Sequence, residues 1–194
     1  ENVLQLIALL KAHGVHKVVA SPGTTNITFV GSVQNDPEFQ LYSCIDERSA
    51  CYMACGMAAE SGEPVALSCT GATAARNYPS GLTEAFYRHL PIVAITSSQY
   101  FGKVGQMNAQ FTDRNVIQRD IAKMSIQIPY PNTADDRWSN NVKINTALLE
   151  LTRDGGGPVH INIETRYSRD FSVKELPHER VIRRLLPTDR LPEI

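Results

Sequence analysis

The chain has 194 residues, 42% apolar and 20% charged, with a formal net charge of -1. That is enough for one domain with a full hydrophobic core and marginal for two, and it points away from wholesale disorder and from the basic footprint of a nucleic-acid binder. No apolar run approaches the ~20 residues that a membrane-spanning helix needs, so a membrane partner is not expected.

The opening ENVLQLIALLKAHG carries apolar residues at 3, 4, 6, 7, 9 and 10, a helical stripe that Gly14 stops. It has neither the basic start nor the small-residue cleavage site of a signal peptide, and it does not begin with Met, so a longer parent chain is expected. HKVVA then reads as a strand ending in the turn Ser21-Pro22-Gly23, followed by a short helix over ITFVGSV and a second strand over FQLYSCI. Asp46 is placed to cap the helix ERSACYMACGMAAESG, which closes at Gly62. PVALSCT is a third strand, Thr70 to Ala75 is small and polar, and a helix is expected from about Pro79 to His89. PIVAITSS is a fourth strand. Residues 98–115 read as a long loop, of a length that is usually functional or mobile. A short helix near Asn115 to Ala122 is predicted before the fifth strand, MSIQIP. Asp135 or Asp136 then starts an amphipathic helix, Gly155-Gly156-Gly157 breaks it, and PVHINIE is the sixth strand.

Strands and helices thus alternate about six times, and the strands are near-continuous apolar runs. That pattern predicts an α/β fold: a doubly wound, mostly parallel six-stranded sheet with helices on both faces. Residues 1–166 form the domain in this reading. Residues 167–194, charged and punctuated by Pro, read as a linker toward a further domain.

The four cysteines, Cys44, Cys51, Cys55 and Cys69, include a pair four apart on a helix. No His or Asp stands at ligand spacing beside that pair, so the thiols read as packed core residues and no metal site is expected in this chain. Unpaired buried thiols suit a reducing compartment, and a cytoplasmic location is expected.

In such a sheet, ligands bind beyond the carboxyl ends of the strands. The segments predicted there are Ser21-Pro22-Gly23, Asp46-Glu47-Arg48, Thr70-Gly71-Ala72 with Asn77, and Ser97-Ser98-Gln99, with the loop bearing Gln106 and Gln110 leaving from the same edge. There is no Gly-rich dinucleotide fingerprint, no phosphate-cradling loop, no nucleophile elbow and no HExxH. Asp46-Glu47 is the one evident carboxylate pair. Position alone leaves two readings open: negative charge favoured in the first turn of a helix, or a working carboxylate at the mouth of the sheet.

Taken together, ASPGTTN, the run from DERSACYMACGMAAES through CTGATAARNYPSGLTEAFYRHLPIVAITSS, and GPVHINIE resemble, in order and spacing, the pyrimidine-binding domain of thiamine-diphosphate enzymes over essentially residues 1–165. Acetolactate synthase, its decarboxylase relatives and the synthase of menaquinone biosynthesis that joins a ketoglutarate-derived unit to isochorismate share this plan. The resemblance implies that Glu47 hydrogen-bonds a ring nitrogen of the cofactor's aminopyrimidine and favours the imino form, which deprotonates the thiazolium carbon. It implies that Pro22 and Gly23 line the mouth, that Thr70 and Asn77 are polar contacts of the next loop, and that Gln110, thirteen residues before Lys123, touches cofactor or substrate.

Three departures stand out. Thr24-Thr25-Asn26 occupies the place of a Ser-Arg-Ser in the menaquinone synthase, and Ser97-Ser98-Gln99 the place of an Asp-Arg-Pro. The family's Gly-Asp-Gly motif, which holds the diphosphate and Mg²⁺ in a second domain, is absent from this chain. The expectation is therefore the pyrimidine end of a site completed by the diphosphate-binding domain of another subunit, in a homodimer or homotetramer. The whole would be a three-domain 2-keto-acid decarboxylase or carboligase of roughly 550 residues, with the isolated piece inactive. A natural two-chain enzyme of the sulfopyruvate decarboxylase kind, a degenerate domain serving oligomerisation or regulation, and a plain nucleotide- or flavodoxin-like binding domain are the alternatives.

Overall fold

The computed structural model describes residues 1–113 and 117–185. Among them, helices and strands follow in the order α1 (Asn2–Ala12), β1 (Lys17–Ala20), α2 (Ile27–Gln34), β2 (Gln40–Ser43), α3 (Glu47–Ser61), β3 (Val65–Thr70), α4 (Pro79–Tyr87), β4 (Ile92–Ser98), β5 (Met124–Ile128), α5 (Ala134–Leu149) and β6 (Val159–Glu164). The sheet runs β2-β1-β3-β4-β6-β5 with every neighbouring pair parallel, as the alternating pattern predicts.

Parallel neighbours need crossovers, and the crossovers form two helical layers. On one face Leu6, Leu10, Phe29, Ile144 and Leu148 from α1, α2 and α5 pack with Val18, Ile95 and Ile161 of the sheet. On the other, Ala50, Cys51, Ala54, Leu82 and Ala85 from α3 and α4 pack with Val19, Leu67, Ile92 and Ala94. From β1 the chain passes through α2 outward to β2, then returns through α3 across β1 to β3. The connections after β1 and β3 therefore diverge, and the crevice between them is where an open α/β sheet receives ligands.

α3 and α4 approach closely because the residues between them are small. A Cβ at Gly81 would lie 2.6 Å from the Cys51 sulfur, and the Cys55 thiol donates to the Gly81 carbonyl at 3.4 Å. The ends of α3 follow the sequence. The Asp46 side chain accepts from the Ser49 N–H at 2.7 Å, and Gly62 closes the helix at φ 70°. α5 starts on a reciprocal capping box between Thr133 and Asp136. Thr133→Ala is expected to lower stability by about 1 kcal/mol, read as a shifted denaturant midpoint at unchanged slope.

Three features differ from the sequence reading. Residues 117–122 form turns, not the end of a helix; Asn115 and Val116, the rest of that predicted stretch, include positions outside the described residues. Ile117 and Ile121 pack against the α3/α4 layer while the Lys123 N–H pairs with the Pro158 carbonyl, which holds this stretch along the sheet. The second difference is a polar patch on the α3/α4 side of β4, β6 and β5. His160 lies between the hydroxyls of Thr96 (2.8 Å) and Ser125 (2.7 Å). Thr96 and Ser98 both donate to Asn162 Oδ1 at 2.8 Å, and Asn162 Nδ2 donates to Gln127 at 2.6 Å.

The third difference is the inner face of α5, which carries buried Asn140, Asn141 and Asn145 beside its apolar residues. Asn140 donates to the Pro129 carbonyl at 2.9 Å, while Asn141 and Asn145 grip the segment after β6, which has neither helix nor strand through residue 185. Asn145 donates to the Arg180 carbonyl at 3.0 Å and accepts from the Ile182 N–H at 2.9 Å. Glu179 accepts from Arg137, Gln5 and Asn141 at 2.8–3.0 Å. Farther up, Phe171 occupies the space a side chain at Gly31 would need.

Candidate functional site at the carboxyl edge of the sheet

The crevice is built from hydrogen bonds that tie one strand end to the next. The Ser21 N–H donates to the Ser68 carbonyl (2.8 Å) and the Ser21 hydroxyl to the Cys44 carbonyl (2.8 Å), joining the ends of β1, β2 and β3. Buried Asn26 braces the same turn, donating to the Ser21 carbonyl and the Ser68 hydroxyl, each at 3.1 Å. Gly23 has no room for a side chain against the Thr70 methyl group, so the β1 turn and the end of β3 meet backbone to side chain. Gly71 continues this packing: its N–H donates to the Ser97 carbonyl at 2.6 Å and its carbonyl accepts from Thr112 at 2.8 Å. Thr25 also donates to the Ser97 carbonyl, at 2.6 Å, and Thr165 donates to the Thr25 carbonyl.

Glu47 is the first residue of α3, half-buried at this edge. Among the described residues its carboxyl has no hydrogen-bond or ion-pair partner, because the helix-capping role belongs to Asp46. The bond from the Ser49 N–H holds the Asp46 carboxyl below its ordinary value of 3.8. A carboxylate whose folded pKa is depressed stabilises the fold above its unfolded pKa, and loses that contribution as pH falls through the folded value. Thermal midpoints of Asp46→Asn and the parent chain should therefore converge as pH drops from about 5 toward 2.

The other predicted residues are spread along the same edge. Pro22 is exposed, and Gly23 and Thr70 are in contact at the crevice. Asn77 lies in the short 3₁₀ turn before α4, where its side chain donates to the Ala74 carbonyl within its own turn. Gln110 is exposed at φ 66° in the β4–β5 connection, which Arg76 and Thr112 tie to this edge through Asp113 and Gly71 carbonyls. Cys51, beneath Glu47, has its thiol held well above its ordinary value by the bond with Cys55 and by burial, so it stays protonated. Among the described residues no three His, Cys, Asp or Glu side chains cluster as metal ligands would.

Two groups at this edge were not singled out from sequence. Glu164 ends β6 buried, and burial pushes its carboxyl up, against a bond from the Tyr130 backbone and the charge of Arg166. Four strand spacings, roughly 19 Å, separate β6 from β2, so Glu164 belongs to the far end of the edge from Glu47. Tyr78, just ahead of α4, is fully buried, and among the described residues its hydroxyl lacks an oxygen or nitrogen partner. The periodicity that marks a tyrosine as core does not reveal where its hydroxyl points.

The Glu47 carboxyl and the glycine turns thus stand at the switch point of the parallel sheet, where open α/β sheets receive ligands. Residues 3–126 match the family model described as the thiamine pyrophosphate enzyme, N-terminal TPP binding domain, and the chain belongs to that family. It is 41% identical over 187 residues to the 2-succinyl-5-enolpyruvyl-6-hydroxy-3-cyclohexene-1-carboxylate synthase of Phocaeicola vulgatus, covering 95% of this chain and 33% of the relative. The synthase of that name from Bacteroides thetaiotaomicron is 40% identical over 185 residues, with the same coverages. Among solved structures, the thiamine diphosphate-dependent 4-hydroxybenzoylformate decarboxylase of Rhodococcus jostii RHA1 is similar at a TM-score of 0.68 and 25% identity, over 84% of this chain and 30% of that one. Benzoylformate decarboxylase from Polynucleobacter necessarius shares the fold at a TM-score of 0.73 and 20% identity, over 95% of this chain and 33% of its own. The chain thus spans about a third of the length of these relatives. Among the described residues no helix is long and apolar enough to cross a membrane.

Proposed function

We propose that this domain activates thiamine diphosphate through Glu47, within a longer enzyme that decarboxylates a 2-keto acid or joins it to an acceptor. The observation that carries this reading is the uncommitted Glu47 carboxyl at the switch-point crevice of a family member. When bound, the cofactor supplies a nucleophilic carbon and an electron sink for carbon–carbon bond cleavage or formation. Glu47 holds and exchanges a proton with a pyrimidine nitrogen, and a largely dry, rigid setting strengthens that bond. Pro22 and Gly23 line the mouth beside the ring, and Thr70, Asn77 and Gln110 offer polar contacts around it. This chain carries no Gly-Asp-Gly motif, so the diphosphate and Mg²⁺ are assigned to another domain, brought by a second subunit.

The relatives' synthase reaction is a weaker choice than the reaction class. At the two places where the sequence departs from that synthase's pattern, this chain offers Thr25, whose hydroxyl is committed to the Ser97 carbonyl, and Ser98, committed to Asn162. Neither is a cation for an acidic acceptor. The reading is tested by titrating the full-length protein with thiamine diphosphate and Mg²⁺ in a calorimeter; absence of binding would favour a degenerate, interface-forming domain instead.

A further inference from the structure

The buried hydroxyl of Tyr78 lies outside the roles assigned above, and its place relative to Glu47 follows from how α3 and α4 pack. Both helices descend from the carboxyl edge on the same face of the sheet, so they run parallel. Gly81 sits against Cys51. Tyr78 precedes Gly81 by three residues and Glu47 precedes Cys51 by four, each about one helical turn toward the crevice. Tyr78 and Glu47 are thereby brought to one level at the top of the helix pair. The hydroxyl is fully buried and, among the described residues, has no oxygen or nitrogen partner. The Cys69 thiol beside it is a weak acceptor, and that thiol's own hydrogen goes to the Thr70 carbonyl at 3.2 Å.

We propose that Tyr78 is a positioning residue for Glu47, its hydroxyl donating to one carboxylate oxygen when the Glu47 side chain turns inward from the mouth, so that the other oxygen is aimed at the ligand. A buried donor left with only a weak thiol acceptor is costly, and the Glu47 carboxylate at the same level of the neighbouring helix is the partner that relieves it. The titratable groups facing the hydroxyl are Glu47 and Cys51 of α3 and Cys69 of β3. Burial first, and these neighbours second, hold the phenol far above its ordinary value, so it remains a donor throughout the working pH range. The inference rests on the reading of Glu47 as the cofactor activator.

The test is Tyr78→Phe in the full-length enzyme, which deletes one oxygen and keeps the packed ring. In cofactor-free protein, the Glu47 carboxyl is titrated by infrared difference spectroscopy against a Glu47→Gln baseline. Loss of a donor to the carboxylate should raise its midpoint by about one pH unit. With thiamine diphosphate and Mg²⁺ bound, proton exchange at the thiazolium carbon should slow about tenfold, while the thermal midpoint is unchanged or higher. A merely structural hydroxyl would leave the carboxyl midpoint where it is, and that result overturns the role of Tyr78. If exchange stays normal in Glu47→Gln, the reading of Glu47 itself is what fails. Loss of exchange in Glu47→Gln together with an unmoved midpoint in Tyr78→Phe sinks the Tyr78 role alone.

Discussion

Replacing Glu47 with Gln in the full-length enzyme should reduce exchange of the thiazolium carbon proton by about 10²–10⁴-fold, the range typical of losing a positioned acid or base. Gln keeps the length and planarity of the side chain but cannot hold a transferable proton. The fold should survive the change. Asp46, not Glu47, caps α3, and removing one first-turn charge costs only about 0.3–1 kcal/mol. Exchange is followed by proton NMR in deuterated buffer with thiamine diphosphate and Mg²⁺ present. Parent-like rates in the variant would remove Glu47 from the mechanism, and with it the main argument for an active domain.

Asn145→Ala should be the most damaging of the single changes considered away from the site, costing about 2–4 kcal/mol. The side chain is fully buried and satisfied on both ends. Its amide nitrogen serves Asn141 and the Arg180 carbonyl, and its oxygen serves His13 and the Ile182 N–H. Alanine would leave several of these groups buried and unpaired. Denaturant melts should show the loss of stability. Limited proteolysis should show faster cleavage between residues 175 and 185, because Asn145 is a main tie between α5 and that segment. Equal cleavage in both proteins would mean that the other ties suffice.

The fold was readable because its signals are local and repeated. Six apolar strand runs, the Asp46 cap and the Gly62 stop each have one physical meaning, and together they specify the parallel sheet and its ligand-binding edge. The same signals placed Glu47 at that edge, but position alone left its role open, and only the resemblance to the thiamine-diphosphate family supplied one. What escaped was set by distant partners. Nothing near Asn141 and Asn145 in sequence says that they face inward, because partners of theirs lie in the segment some 35–39 residues on. The turn over residues 117–122 is likewise dictated by contacts with the α3/α4 layer and by β6, and Tyr78's hydroxyl by the register of two helices. Residues 3–126 carry the family's match, and the asparagine grip lies beyond them.

The polar patch around His160 has a sense of direction. The single hydrogen of Thr96 goes to Asn162, so Thr96 receives from His160 Nε2, while Ser125 holds the ring's other nitrogen. Thr96, Asn162 and His160 share partners, so altering any one strands a neighbour. Residues 96, 125, 160 and 162 are therefore coupled, and their substitutions should combine non-additively. In a lineage of such domains these four positions should be inherited or replaced as a set, a covarying group whose signature would be visible in related sequences far from the cofactor's chemistry.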